Sequence, residues 1–470
     1  MNIQQGSIYK STTFVDTKVR HREKKFKELI LVKPPRVADN MPNSLLKGVL
    51  FMSVNVKSRR VAIVGGLRTP FVKAGTYFKD LSPLAMSTHL VGEMLSRHDV
   101  DANSLDDIVW GRVIHDPRIS NIAREIVLDL KLPTSIRGYM VSNNCITSAH
   151  AIANLADAIA CGRSEAGIAG GVESMSQAPI LFGREASRIF LEAGMASSPG
   201  QKIKALLCLR PRHFRPEALS VKEPSTGLSM GEHCELMAKQ WQISRQIQDE
   251  IALRSHQRAA RATADGRLTA EIAALKGIDR DMIVRGDTSM EKLGVLRPVF
   301  DRTEKGTLTA GNSSPLTDGA AGILLMSEER AAREGREPLA FIRDVQFASL
   351  HPDDGLLMAP ALAVPALLRR TGLSLQDMDI VEMHEAFGAQ IACNLAAWEQ
   401  GWKDEAIGAV DPEILNPLGS SIAVGHPFAA TGARIVTTLA GEMARRKSRY
   451  GLVSICAAGA MAAAMILERD

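Results

Sequence analysis

The chain has 470 residues, of which 45% are hydrophobic and 23% are charged, a globular composition long enough for two or three packed domains. This composition excludes disordered and fibrous classes of protein. Residues 1–51 hold ten Lys or Arg against four acids, so the other 419 residues sum to −1 although the whole chain carries +5. We expect no nucleic-acid partner, because this body lacks a basic excess and only 4% of the chain is aromatic.

Residues 1–55 precede the first strand, which the apolar, glycine-closed run 60–66 predicts. We interpret residues 1–55 as a basic extension that is either disordered or not translated, since Met52 begins the segment that leads into this strand. The extension lacks the apolar core of a secretory signal.

Helical stretches then alternate with short apolar runs, which predicts α/β layers with mostly parallel strands. The pattern indicates a helix at Pro83–Arg97 and strands at Ile108–Trp110 and 165–171. Residues of about 180–225 break this rhythm with prolines and basic clusters, so we expect an inserted loop subdomain there. A helical pattern follows at 231–266.

A second α/β series begins near Pro338 and continues to the C-terminus. Its longest uncharged tract, 451–467, is too weakly apolar for a membrane span and predicts buried strands joined by a tight turn. Each series places a reactive side chain, Cys145 or His426, near the start of a helix. This arrangement is typical of a duplicated domain with its active site between the halves.

The six cysteines form no Cys-x-x-Cys pair and show no histidine spacing of a zinc site, so we expect free thiols in a reducing compartment and no metal. Cys145 precedes a predicted helix, whose free N–H groups and dipole stabilise a thiolate. Cys456 follows a strand and precedes small residues that let the backbone approach a ligand. For either cysteine taken alone, an inert buried thiol is the alternative.

Two histidines lie in comparable loops. His426 stands in the sequence Gly-His-Pro, where an imidazole can act as a general base or donate to an oxyanion. His384 and Glu385 follow a predicted strand, at the edge where ligands bind in open α/β sheets. A lone histidine is more often a surface or capping residue, but two histidines and two cysteines on such loops suggest acyl transfer through a thioester. We expect neither NAD nor ATP, because the chain carries no dinucleotide fingerprint after its first strand and no P-loop.

Six sequence blocks in a fixed order resemble the thiolase family. They are Asn-Cys-Ile-Thr-Ser at 144–148, Gly-Gly-Val-Glu-Ser-Met-Ser at 170–176, Thr-Ala-Gly-Asn-Ser-Ser-Pro-Leu-Thr-Asp-Gly-Ala at 309–320, His-Glu-Ala-Phe at 384–387, Gly-His-Pro at 425–427 and Cys-Ala-Ala-Gly at 456–459. The resemblance covers residues of about 58–470. More narrowly, His384 where many thiolases have Asn, the segment 75–81 and the basic insertion resemble the β-subunit of the fatty-acid β-oxidation (trifunctional) complex.

The resemblance implies a five-layer αβαβα fold of two similar halves. The N-terminal domain spans 56–330 and includes a loop domain at about 177–300, and the C-terminal domain spans 331–470. The resemblance also implies a homodimer or larger assembly, a hydratase/dehydrogenase α-subunit as partner, and peripheral membrane contact through the inserted loop, for which a solvated surface excursion is the alternative. The implied location is the cytoplasm of a bacterium, or the mitochondrion if the source is eukaryotic.

The family's motifs assign the catalytic roles. Cys145 is the expected nucleophile that takes the acyl group, and His426 is expected to accept its proton and later help hold the thioester oxygen. Cys456 is the expected acid and base, which deprotonates the incoming CoA thiol in degradation or the methyl group of the acetyl-enzyme in synthesis.

The same motifs assign the binding roles. His384 takes the place of the family's Asn in positioning a water at one oxyanion hole, while the backbone N–H groups of Cys145 and Ala458 form the other. Ala458 and the adjacent Gly459 are therefore expected on the substrate-binding surface. Ser314 matches the family's serine that contacts the pantetheine arm of CoA.

The implied activity is that of a 3-ketoacyl-CoA thiolase (acetyl-CoA C-acyltransferase) in fatty-acid β-oxidation. CoA and acyl-CoA are substrates rather than held cofactors, and the acyl-cysteine intermediate predicts ping-pong kinetics. Two alternatives stay open: a biosynthetic acetoacetyl-CoA thiolase, and a non-catalytic subunit that scaffolds a hydratase/dehydrogenase partner.

One block departs from the family's pattern. The family usually continues Cys-x-x-Gly-Gly-x-Gly, whereas this chain has Ala460 and Ala462 at the later glycine positions. Alanine retains the backbone N–H group, but it does not freely adopt positive φ and its methyl group can crowd the site. We therefore expect an active enzyme whose rate or chain-length preference differs from that of its relatives.

Overall fold

A computed structural model describes residues 58–217 and 222–470. The basic extension that the sequence predicts over residues 1–55 lies outside the described residues. No helix of the described ranges is long and apolar enough to cross a membrane.

The strands of the described chain form one large sheet and one small two-stranded sheet. They are β1 (Val61–Arg68), β2 (Val72–Lys73), β3 (Asp107–Gly111), β4 (Arg137–Val141), β5 (Ala166–Glu173), β6 (Leu181–Phe182), β7 (Pro216–Glu217), β8 (Thr317–Ser327), β9 (Ala340–Ser349), β10 (Ile380–Met383), β11 (Tyr450–Ala457) and β12 (Met461–Glu468). The large sheet has the order β10-β11-β12-β9-β1-β8-β5-β3-β4, with β2 paired to β8, while β6 and β7 pair with each other.

The helices fill the connections between these strands. They are α1 (Pro83–Arg97), α2 (Ile122–Asp129), α3 (Thr147–Ala160), α4 (Arg184–Met195), α5 (Pro199–Leu206), α6 (Met230–Gln240), α7 (Arg245–Ala264), α8 (Met290–Gly294), α9 (Glu328–Arg333), α10 (Pro360–Thr371), α11 (Gly388–Gln400), α12 (Ser421–Val424) and α13 (Thr431–Arg446).

The prediction of mostly parallel strands is wrong. Only β3 with β4, β3 with β5 and β10 with β11 pair in parallel, and the other pairs of the large sheet are antiparallel. Each half contains antiparallel pairs, such as β1 with β8 and β12 with β9, and the pair that joins the halves, β1 with β9, is antiparallel as well. The turn between β11 and β12 is also too short for a parallel crossover, which needs a dozen or more residues.

Alternating side chains of the sheet face two different cores. Along β12, Ala463, Met465 and Leu467 face a central cluster that includes residues of α3 and α13. The intervening Ala464 and Ile466 face an outer cluster with α10 and α11. A third cluster packs α1 and α2 against the outer face of the N-terminal half of the sheet. Helices therefore lie outside and between the two halves of the sheet, and the expected layered α/β fold is confirmed.

The segment that breaks the α/β rhythm is more regular than the sequence predicts. Within the range 180–225, described residues form the helices α4 and α5, flanked by the antiparallel pair of β6 and β7. The helical pattern at 231–266 corresponds to two helices, α6 and α7. Both helices begin at serines, Ser229 and Ser244, whose side chains accept backbone N–H groups of the first turn.

The uncharged tract forms the β11–β12 hairpin, as its pattern predicts. In the turn, Gly459 has a φ of 77° and Ala460 a φ of 55°. Ala460 is fully buried, and its carbonyl accepts the N–H group of Leu350 at 2.8 Å. Alanine therefore occupies a left-handed conformation that glycine would adopt without strain.

Replacing Ala460 with Gly should relieve this strain. Ala462 is the matched control, because it is equally buried but lies in the regular strand β12. Both substitutions remove one buried methyl group and add the same backbone freedom to the unfolded chain. We expect the free energy of unfolding of Ala460→Gly to exceed that of Ala462→Gly by about 1–2 kcal/mol, the cost of a left-handed L-residue. Denaturant titration measures both values, and equal values would contradict the strain.

Candidate active site

Cys145 lies in a sharp connection between a strand and a helix. The chain leaves β4, passes through Asn144 with a φ of 47°, and enters α3 two residues after Cys145. Ile146 at the helix start supplies no side-chain cap, so the first N–H groups of α3 have no side-chain acceptor from that position. The residue is half-buried at the start of the helix, where the sequence predicts it.

His426 faces the Cys145 sulfur. Its Nε2 lies 3.3 Å from Cys145 Sγ, and its Nδ1 lies 2.7 Å from Thr431 Oγ1. The Thr431 hydroxyl donates to the carbonyl of Pro427, so its oxygen accepts from the histidine. This assigns the proton to Nδ1 and leaves the lone pair of Nε2 directed at the thiol.

Burial keeps both members of this pair neutral. It raises the pKa of the Cys145 thiol to about 11, although the backbone N–H groups of Ala458 and Cys145 favour the thiolate. Burial, together with the charge of Arg434, lowers the pKa of His426 to about 3. Desolvation exceeds the effect of these N–H groups, which favour the thiolate as the position before the helix predicts.

His384 lies at the carboxyl end of β10 and is completely buried. Its Nδ1 lies 2.8 Å from Ser421 Oγ, which also accepts from Arg434 at 2.8 Å. The hydroxyl of Ser421 has one hydrogen, and His384 Nδ1 is the acceptor within its reach among the described residues, so the hydroxyl donates to Nδ1 and the proton of His384 lies on Nε2. Within residues 58–217 and 222–470, this Nε2 has no hydrogen-bond partner. The rings of His384 and His426 lie 4.1 Å apart. The Nε2–H group of His384 therefore lies beside the imidazole of His426.

Cys456 lies near the end of β11, close to Cys145. This strand runs parallel to β10, and the N–H group of His384 donates to the carbonyl of Ser454 at 2.9 Å, two residues before Cys456. Cys456 is buried, and desolvation followed by the charge of Cys145 raises its pKa well above the usual value. The second thiol is therefore protonated and adjacent to the first.

The turn after Cys456 is hydrogen-bonded to two other segments of the chain at the site. The carbonyl of Ala458 accepts from Asn144 Nδ2 at 3.0 Å, and the N–H group of Gly459 donates to Glu223 Oε2 at 3.0 Å. The N–H group of Ala458 lies against Cys145 and favours its anionic form. The turn thus presents a backbone donor to the nucleophile.

Ser314 lies beside the loops that carry the two histidines. Its N–H group donates to the carbonyl of Ala386 at 2.9 Å, and Leu316 forms a bridge with His426. Ser314 is half-buried, so its side chain remains accessible next to the site. The structure brings together the catalytic and binding residues that the sequence predicts.

Three residues that support the histidines were missed by sequence analysis. Thr431 lies next to a block of the resemblance, whereas Ser421 carries no recognisable signal. Arg434 is a lone charge in the otherwise uncharged helical run 431–440, a pattern that could have identified it as a buried functional group. Arg434 affects the two histidines through its charge, which lowers their pKa values, and through its hydrogen bond to Ser421.

The described residues hold no group of three or more His, Cys, Asp or Glu side chains that could bind a metal ion. All six cysteines lie within the described ranges, and all are free thiols.

Comparison with known proteins identifies two matching family models. The thiolase N-terminal domain matches residues 61–329, and the thiolase C-terminal domain matches residues 336–469. The 3-ketoacyl-CoA thiolase of Colwellia psychrerythraea is 43% identical over 87% of the chain and 97% of that protein. The 3-ketoacyl-CoA thiolase of Escherichia coli is 41% identical over 90% of the chain and 100% of that protein.

A solved structure has the same fold. The acetyl-CoA acetyltransferase of Bacillus anthracis is 30% identical, with a TM-score of 0.77 over 88% of the chain and 99% of that protein.

The neutral resting pair predicts how alkylation of Cys145 depends on pH. Because burial raises the pKa of this thiol to about 11, the iodoacetamide labelling rate should rise through about pH 9 without a plateau. Peptide mapping of the labelled protein measures the rate at this residue, and Cys145→Ser is the control that removes the signal. A plateau below about pH 7 would instead demonstrate a resting thiolate.

Proposed function

The chain belongs to the thiolase family, and from this premise we propose how its side chains cleave a 3-ketoacyl-CoA. The protein is an acyltransferase, a 3-ketoacyl-CoA thiolase of fatty-acid β-oxidation. It acts on acyl-CoA and CoA. The observation that carries the mechanism is the contact of 3.3 Å between Cys145 Sγ and His426 Nε2.

In the first step, Cys145 attacks the 3-keto carbon while His426 Nε2 takes the thiol proton. The C2–C3 bond then breaks, and the electron pair leaves with the acetyl-CoA enolate. Thr431 orients the imidazole, since it accepts from Nδ1 and holds Nε2 unprotonated. The acyl group remains on Cys145 as a thioester.

Cys456 moves the second proton. Its raised pKa keeps it a thiol at rest, which suits it to protonate the enolate carbon. The thiolate that this transfer leaves stands in a site that disfavours charge, so it takes the proton of the incoming CoA thiol. CoA then attacks the thioester, and Cys145 leaves and recovers its proton from His426. The enzyme returns to its starting state with atoms and protons balanced.

Two groups of donors stabilise the oxyanions. The N–H groups of Cys145 and Ala458 form one hole, because both lie against the nucleophile. The unpartnered Nε2–H of His384 supplies the other, directly or through a positioned water. Ser314 contacts the pantetheine arm, and Gly459 lines the adjoining substrate surface.

The domain arrangement is part of this proposal. We infer an N-terminal domain at 56–330 with a loop domain at about 177–300, and a C-terminal domain at 331–470. The boundary agrees with the two family models, which end at 329 and begin at 336. A homodimer is the proposed assembly.

A second function within the family is biosynthetic condensation of acetyl-CoA. The observation that favours it is the likeness to an acetyl-CoA acetyltransferase structure, at 30% identity. The relatives at 41–43% identity favour degradation of 3-ketoacyl-CoA. A non-catalytic scaffold is disfavoured because the nucleophile, its base and the second thiol are all in place.

The inserted segment 180–217 is proposed to contact a lipid surface at the cytoplasmic side of a bacterial membrane. Of the nineteen exposed large apolar side chains in the described ranges, ten lie in this segment. Leu191, Met195 and Leu207 are exposed by 63%, 78% and 79%. Seven Lys or Arg accompany three Glu in the segment, a composition suited to anionic headgroups. Cosedimentation with anionic vesicles tests the proposed lipid contact. Binding to a hydratase/dehydrogenase subunit without binding to vesicles would contradict it and identify that subunit as the partner of the segment.

The function is tested by CoA-dependent cleavage of short- and long-chain 3-ketoacyl-CoA. We expect wild type to prefer long chains and Cys145→Ala to lose activity by a thousandfold or more, on the order of other nucleophile deletions. Cys161→Ala is the matched control, because this exposed cysteine lies outside the site and should leave the rate unchanged. Cleavage confined to acetoacetyl-CoA would favour biosynthesis. No cleavage by folded protein, even with an α-subunit present, would contradict the catalytic role.

A further inference from the structure

The peptide between Ala458 and Gly459 is hydrogen-bonded at both its carbonyl and its N–H group. Asn144 Nδ2 donates to its carbonyl, and Glu223 Oε2 accepts from its N–H group, each at 3.0 Å. The first contact comes from the residue before the nucleophile, while the second comes from a loop before α6. One peptide plane thereby joins three separate parts of the chain.

The orientation of this peptide matters for the site. It follows the Ala458 N–H group that lies against Cys145, and it precedes the strained φ of Ala460. Gly459 has no Cβ, and so the local backbone tolerates either orientation of the peptide at little steric cost. External hydrogen bonds must therefore select the orientation.

Glu223 is well placed for this selection. Its own N–H group donates to the carbonyl of Leu228 at 2.8 Å, and its carbonyl accepts from Gly227 at 2.8 Å. The hydroxyl of Ser225 donates to Oε1 at 3.1 Å, which leaves Oε2 for Gly459. The half-buried carboxylate is thus held by its own turn before it meets the hairpin.

We propose that Glu223 is a positioning residue of this centre, which fixes the Ala458–Gly459 peptide and so aims the Ala458 N–H group at the reacting sulfur and the oxyanion. This inference rests on the proposed function for its effect on turnover. A residue that only stabilised the fold would change the free energy of unfolding, whereas Glu223 is proposed to lower the activation free energy of the chemical steps. A displaced donor weakens stabilisation of the transition state more than binding of the substrate.

Three substitutions separate the position of the acceptor from its charge. Glu223→Ala removes the acceptor, and we expect kcat to fall by about 10- to 100-fold while KM changes by less than about threefold. Glu223→Gln keeps an acceptor oxygen at the same reach and should retain kcat within about threefold of wild type. Glu223→Asp keeps the charge but is one methylene shorter, and it should resemble Glu223→Ala.

Glu232→Ala is the matched control. This carboxylate belongs to the same stretch of chain, but it accepts the N–H group of Ser229 at the start of α6 and does not touch the hairpin. The control should keep kcat even if the helix is slightly destabilised. Wild-type kcat in Glu223→Ala, or a more active Asp than Gln variant, would overturn the proposal.

A second readout does not depend on thiolase activity. Because the Ala458 N–H group favours the Cys145 thiolate, Glu223→Ala should slow iodoacetamide labelling of Cys145 by several-fold at a fixed alkaline pH, whereas Glu232→Ala should not. An inactive wild type with this labelling difference would contradict the proposed function alone. Equal labelling in both variants would contradict the role of Glu223.

Discussion

The contact between the Cys145 thiol and the unprotonated nitrogen of His426 is the interaction on which the rest of the structure depends. Cys145 lies two residues before α3 and His426 five residues before α13, one from each half of the fold, so they meet only if these helices approach closely. Gly432 makes this approach possible, because a Cβ there would lie 2.6 Å from the backbone nitrogen of Ala149. The layered fold is thus a means of bringing two helix starts into van der Waals contact.

The buried Arg434 contributes to the low pKa values of both histidines of the site. Arg434 lies on α13 behind both histidines, and its charge adds to burial in lowering the pKa of each. Arg434 Nη1 lies 3.9 Å from Oε2 of the buried Glu382, and burial raises the pKa of this carboxyl although the charge of the arginine opposes the shift. The histidines consequently rest as neutral bases, which can accept a proton during the reaction and return it.

Sequence analysis predicted the family, the layers and the side chains that meet at the candidate site because these follow from local patterns: Pro83–Arg97 is helical as its periodicity indicates, and Cys145 and His426 lie in short recognisable blocks. The strand directions could not be predicted, since the antiparallel placement of β1 between β8 and β9 depends on pairings distant in the chain. The burial that raises the pKa of Cys145 could not be predicted either, because burial is a property of the assembled halves. Glu223 lies 236 residues from its partner Gly459, and only the folded chain brings them together.

The most direct test of the account is to trap the acyl-enzyme. Protein mixed with a long-chain 3-ketoacyl-CoA in the absence of CoA is quenched in acid, digested and mapped by mass spectrometry. The account predicts a shortened acyl group in thioester linkage to Cys145, released on addition of CoA, and no acyl group on Cys456. An acyl group on Cys456, or turnover at the wild-type rate with no acylated cysteine, would contradict the assignment of nucleophile and proton carrier.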